Sequence, residues 1–136
     1  MAYLIDSSFV IDLERRRGSV AELRERIGGD RMAIATITLS ELLVGIHRAS
    51  DQARQARRQE SLHRLVALVR VLPFDEEVAR RHAAIAAELT AIGEPIGAHD
   101  LIIAATAIVH GLTLITLDLR HFPRVPGLAL LTTPSA

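Results

Sequence analysis

Four acidic residues stand far apart in a chain of 136 residues: Asp6, Glu41, Asp100 and Asp118. Taken singly, each has a plain structural explanation. Asp6 precedes Ser7-Ser8 as a turn or cap would, and Glu41 follows Thr38 at capping-box spacing. Asp100 suits the positive end of a helix, and Asp118 suits a turn. Taken together, they suggest chemistry. Two unit charges about 4 Å apart repel by roughly 4 kcal/mol at an effective dielectric near 20, so four in one cleft would be unstable or partly protonated. A divalent cation removes that penalty. An all-oxygen site suits Mg²⁺ or Mn²⁺, as one or two ions with waters completing the shell. Such a site activates a water and stabilises the leaving oxygen of an in-line phosphoryl displacement. That is the chemistry of a metal-dependent phosphodiesterase.

The four acids can meet only if the fold brings them together. Leu4-Ile5 reads as a buried strand ending at Asp6, followed by a serine-capped helix with Phe9, Val10 and Leu13 that stops at Gly18. A second helix starts at Ser19, carries Val20, Leu23 and Ile27, and stops at Gly28-Gly29. Residues 32–35 form a second strand, and Thr38 caps a helix that has Glu41 in its first turn. A long helix spans Asp51 to Val69, Arg70 to Phe74 is extended, and Asp75 caps a helix ending at Gly93. His99 or Asp100 opens a nearly all-apolar helix to Val109, buried on several sides. Leu112 to Thr116 and Leu128 to Leu131 complete four to five strands. This alternation predicts one α/β domain over 1–136, with a central, mainly parallel sheet between helical layers. Ligands of such sheets bind beyond the carboxyl ends of the strands, where all four acids are expected.

Composition narrows the chemistry. Hydrophobic residues make up 49% of the chain, which predicts a packed globule. Cysteine is absent, which excludes disulfides, thiolate metal sites and cysteine nucleophiles. All 16 basic residues are arginine, so Schiff-base enzymes and Walker phosphate loops are excluded for want of a lysine amine. Tyr3, Phe9, Phe74 and Phe122 are too few to stack single-stranded bases. With no signal-peptide pattern and no apolar run of about 18 residues, a cytoplasmic protein without a membrane span is expected.

Leu4-Ile5-Asp6-Ser7-Ser8, Ser40-Glu41-Leu42, the run from His99-Asp100 to Ala105, and the run from Thr116-Leu117-Asp118 to His121-Phe122 resemble the PIN-domain family. They look most like its VapC toxins, the ribonucleases of bacterial toxin–antitoxin pairs. The resemblance covers nearly the whole chain. It implies a three-layer PIN fold and a Mg²⁺- or Mn²⁺-dependent endoribonuclease acting on RNA, inhibited by a VapB-like antitoxin and forming a homodimer. Position by position, Asp6, Glu41, Asp100 and Asp118 match the acidic metal set. Ser7 matches a hydroxyl beside the first acid and Thr116 the hydroxyl before the fourth. Many relatives carry a further Asp where this chain has His121; a histidine there could contact RNA, orient Asp118 or do neither, and a supporting role beside the metal ligands is the favoured reading.

Between His47 and Arg64, five arginines stand against Asp51 and Glu60, a local net charge of +3. Arg48, Arg54, Arg57 and Arg58 are candidates to hold an RNA backbone, because phosphate contacts supply affinity without sequence information. A solvated face or a protein interface is the alternative. Two rival functions also follow. An aspartate-based phosphotransfer protein would share Asp6, but the phosphatases of that class need an acid where Ser8 stands, and their phosphoryl-binding lysine is missing. A catalytically inactive PIN domain could serve as a binding module, against which the intact carboxylates argue.

Overall fold

Period-2 alternation in three short strands sets the architecture. β1 (Ala2–Ile5), β2 (Arg31–Ala35) and β4 (Thr113–Ile115) pair in parallel, with Leu4 beside Ala33 and Leu114. Those three residues face one side of the sheet, and Tyr3, Ile5, Met32, Ile34 and Ile115 face the other. Each side is then covered by helices. The computed structural model describes residues 1–27, 29 and 31–132. Gly28, half of the expected Gly28-Gly29 stop, lies outside them.

The sheet has five strands in the order β3-β2-β1-β4-β5, all parallel among the described residues. β3 is Arg70–Leu72 and β5 is Leu130–Leu131, both shorter than the apolar runs that predicted them. One layer is built from α1 (Ser7–Arg15), α2 (Val20–Arg26), α3 (Thr36–His47) and α4 (Gln52–Leu68). Phe9, Val10, Leu23, Leu42 and Leu65 pack from it onto the Ile5–Ile34–Ile115 face. The opposite layer holds α5 (Glu76–Ala91) and α6 (Ala98–Val109). The fold is therefore a three-layer α/β/α sandwich.

Local chemistry fixes most of the helix starts. Ser19, Asp51 and Asp75 each accept the expected backbone N–H, from Glu22, Arg54 and Val78. Three starts differ from the sequence reading. α1 has Asp6 rather than a serine at its cap position. α6 opens at Ala98 with Gly97 as its cap residue, a residue or two before His99 or Asp100. α3 opens at Thr36, because β2 runs directly into it and the Thr36 hydroxyl donates to the Leu72 carbonyl at 3.0 Å. Thr38 is thus a fully buried helical residue and caps nothing, and its hydroxyl has no hydrogen-bond partner among the described residues. Glu41 consequently lies in the second turn of α3.

α6 carries the central packing. Ile103, Ala104, Ala105 and Ala107 are fully buried, and the three alanines allow close approach to the sheet. The buried Thr106 hydroxyl is satisfied by donating to the Ile102 carbonyl at 2.7 Å. The chain order reverses beside β1: β2 and β3 lie to one side, β4 and β5 to the other. That reversal opens a crevice at the carboxyl ends of β1 and β4.

After β4 the chain turns through Asp118 and His121 into a 3₁₀ turn, Phe122–Arg124, and the Phe122 ring is fully buried against the α5–α6 side of the core. Phe122 therefore anchors the segment that carries two site residues. Phe122→Ala should lower unfolding stability by about 3–5 kcal/mol in urea titration, as for other buried aromatic truncations. A loss below about 1 kcal/mol would show that the ring is not an anchor.

Candidate active site

β1 delivers Asp6 to the middle of the crevice. Its backbone N–H still donates to the Ile115 carbonyl at 2.9 Å, so strand pairing persists up to the acid. Asp6 is 5% exposed. It also occupies the N-cap position of α1 where a serine was expected, but its side chain does not cap the helix. Its Oδ2 instead accepts from Ser8 Oγ at 2.7 Å and Thr116 Oγ1 at 2.9 Å. Those hydroxyls accept in turn from the backbone N–H groups of Leu117 at 3.1 Å and Asp118 at 3.0 Å. Each hydroxyl has one proton and directs it to Asp6, so their mutual 3.3 Å approach adds no further bond. No hydrogen bond from the described residues reaches Asp6 Oδ1.

Glu41 enters from α3. Ser7 Oγ donates to its Oε1 at 3.2 Å, and His99 Nδ1 lies 3.3 Å from its Oε2. Asp100 enters from the first turn of α6, where the helix end favours an anion. Asp118 lies beyond β4 in a tight turn of its own. Its Oδ1 accepts from the backbone N–H groups of Arg120 at 2.9 Å and His121 at 3.2 Å, and its Oδ2 lies 3.0 Å from His121 Nδ1. The same ring nitrogen is 3.7 Å from Asp100 Oδ2.

The electrostatics show that these groups share one cleft. Burial pushes the Asp100 carboxyl above its ordinary range, and the charges of Asp6, Asp118 and Glu41 push it further, against a smaller opposing effect of His121. At Asp118, burial also pushes upward. The hydrogen bonds from the His121 side chain and the backbone of Arg120 and His121 outweigh it, so this carboxyl is held below the ordinary range. One donor atom each from Asp100, Asp118 and His121 lies within 4.8 Å of the others. An Asp100 carboxyl raised by burial and by its neighbours' charge, and an Asp6 oxygen that accepts no hydrogen bond from the described residues, fit a divalent cation as counter-charge.

The structure thus brings Asp6, Glu41, Asp100 and Asp118 together, with Ser7, Thr116 and His121 in contact with them. Two further contacts were not assigned from sequence. Ser8 clasps Asp6, and its only sequence signal was a second serine after a strand-end acid. His99 meets Glu41 across 58 positions, which no local pattern encodes. The arginines divide. Arg58 donates to the Gly45 carbonyl at 2.7 Å and lines a groove of about 130 Å³ shared with Glu41, Ile11, Arg15 and Leu62. Arg57 lines a neighbouring groove with Arg64 and Ser19, while Arg48 and Arg54 are exposed.

Comparison with known proteins identifies the family. The PIN domain model matches residues 3–128. The chain belongs to the PIN-domain family, in its VapC branch. Ribonuclease VapC1 of Rickettsia felis is 35% identical over 135 residues, covering 99% of this chain and 98% of the relative. The tRNA(fMet)-specific endonuclease VapC of Salmonella typhimurium is 29% identical over 130 residues, covering 96% of each chain. A chain in the crystal structure of DNA-bound VapBC from Salmonella typhimurium superposes with a TM-score of 0.84 at 28% identity, covering 96% of this chain and 97% of that one. Among the described residues of this PIN domain, no helix is long and apolar enough to cross a membrane.

Two carboxylates of the PIN site should act on stability in opposite directions in chelator-treated, metal-free protein. The folded state binds the Asp100 proton more tightly than the unfolded chain does, so ionised Asp100 costs stability at neutral pH. Asp100→Asn should therefore raise the melting temperature by a few degrees. Asp118 is the reverse: its ionised form stabilises the fold above the ordinary value near 3.8, and that gain disappears as pH falls through the lowered folded value. Asp118→Asn should melt earlier than the wild type at pH 7, and both differences should shrink near pH 3. Shifts of the same sign at pH 7 would contradict the assignment.

Proposed function

We propose that this chain is a metal-dependent endoribonuclease, the toxin of a VapBC-type toxin–antitoxin pair. The observation that carries the proposal is the convergence of four acids, from β1, α3, α6 and the turn after β4, in one electrostatically coupled crevice of a VapC-branch PIN domain. Asp6, Glu41, Asp100 and Asp118 hold one or two ions of Mg²⁺ or Mn²⁺. When bound, the cation neutralises phosphate charge and lowers the pKa of water to supply a nucleophile near neutral pH.

The remaining site residues position these acids. Ser8 and Thr116 aim Asp6 through two hydroxyl bonds to one oxygen, leaving the other free to bind. Ser7 orients Glu41, and the backbone N–H groups of Arg120 and His121 fix Asp118. Arg58 keeps guanidinium donors beyond its bond to Gly45 and places positive charge in a groove that reaches Glu41, where an RNA phosphate would be held. With so few aromatics, recognition rests on RNA shape and backbone.

The Salmonella relative's specificity makes transfer RNA the first substrate to test. The likeness to a VapBC chain supports a VapB-like antitoxin as partner. A homodimer acting in the cytoplasm completes the reading.

Brief induction in a bacterial host, with RNA ends mapped across the transcriptome, tests this function. The wild type should create new ends at defined RNA sites and arrest growth. Asp100→Asn should do neither, with cleavage reduced by at least about 10³-fold. Undiminished cleavage by that variant would remove Asp100 from the chemistry. Phosphomonoesterase activity without RNA cleavage would favour the phosphotransfer class instead.

A further inference from the structure

His121 has a geometry that orienting Asp118 alone does not require. The Asp118 carboxylate is already held by two backbone N–H groups on Oδ1, so its turn is fixed without the ring. The imidazole has Nδ1 3.0 Å from Asp118 Oδ2 and 3.7 Å from Asp100 Oδ2. A ring whose only task was to orient Asp118 would need one carboxylate neighbour. This one directs a single nitrogen between two carboxylates that arrive from different elements. Two donors each about 2.1 Å from one ion lie at most about 4.2 Å apart, and both separations fall inside that limit.

Resting on the metal-dependent reading above, we infer that His121 Nδ1 is a direct ligand of the divalent ion, shared with Asp100 and Asp118. Without metal, the Nδ1–H group donates to the carboxylates. With metal bound, the nitrogen lone pair faces the ion. The consequence is selectivity. Mg²⁺ strongly prefers oxygen donors, whereas imidazole nitrogen favours ions further along the transition series. A site with one nitrogen among its carboxylates is biased towards Mn²⁺ over Mg²⁺, and His121 sets that bias. His99 is the internal control, because its ring meets Glu41 at 3.3 Å from the outer, more exposed side of the crevice.

The test is pulsed electron paramagnetic resonance on the purified full chain loaded with substoichiometric Mn²⁺, with Mn²⁺ and Mg²⁺ affinities measured by calorimetry. Nitrogen-14 modulation of the Mn²⁺ signal should be present in the wild type, persist in His99→Gln and vanish in His121→Gln. His121→Asp, which restores an all-oxygen set and tests a second side chain at the position, should lower the ratio of Mn²⁺ to Mg²⁺ affinity by about tenfold or more. The inference fails if the wild type binds Mn²⁺ without nitrogen modulation, if modulation survives His121→Gln, or if the ratio is unchanged in His121→Asp. Those failures leave the metal site standing provided Asp100→Asn still weakens Mn²⁺ binding. Mn²⁺ affinity that is indifferent to Asp100→Asn would overturn the metal reading and this inference with it.

Discussion

An ionised carboxylate at the end of the central strand has to be stabilised away from bulk water, and much of the local structure answers to that demand. Asp6 is nearly buried, so its charge needs donors. They come from Ser8, at the start of α1, and Thr116, at the end of β4. Each donor hydroxyl is itself held by a backbone N–H from the segment after β4. One oxygen of one side chain therefore ties the ends of two adjacent strands together. The same clasp positions Leu117 and Asp118, and thereby the turn that presents His121 and the buried anchor Phe122.

From this centre the site grows outward by topology. Parallel pairing aligns the carboxyl ends of all five strands, and the reversal of order beside β1 opens the crevice at Asp6. α3 and α6 start close to that edge, which brings Glu41 and Asp100 to the same place from opposite layers of the sandwich. The cost is visible in Asp100, whose carboxyl is pushed upward by burial and by its neighbours' charge. Zero net charge over the chain thus conceals an acidic crevice and, adjoining it, an arginine-rich α4.

Much of this was legible in the sequence where the signal is local. A strand-end acid followed by serines, a capping Asp before an amphipathic run, and an acid opening an apolar helix each mark their element within a few residues. The start of α3 was harder. Ala35-Thr36 carries no break between strand and helix, and Thr36 hydrogen-bonds across to Leu72 on a neighbouring strand, so Thr38 offered a more familiar start than the real one. Sheet order, the second hydroxyl on Asp6 and the meeting of His99 with Glu41 depend on contacts distant in sequence. Hydrophobic period identifies a strand but does not say which neighbour it will pair with.

A divalent cation held among these four acids would offset the burial and neighbouring charge that raise the Asp100 carboxyl. Thermal unfolding of the purified chain across a Mn²⁺ titration tests it most directly. Ligand linkage predicts that wild-type stability rises with the logarithm of Mn²⁺ concentration above the dissociation constant. Asp6→Asn and Asp100→Asn should flatten that rise, while Asp51→Asn, a helix cap outside the crevice, should retain it. A wild-type midpoint that does not move with Mn²⁺, or moves equally in all four proteins, would contradict the account.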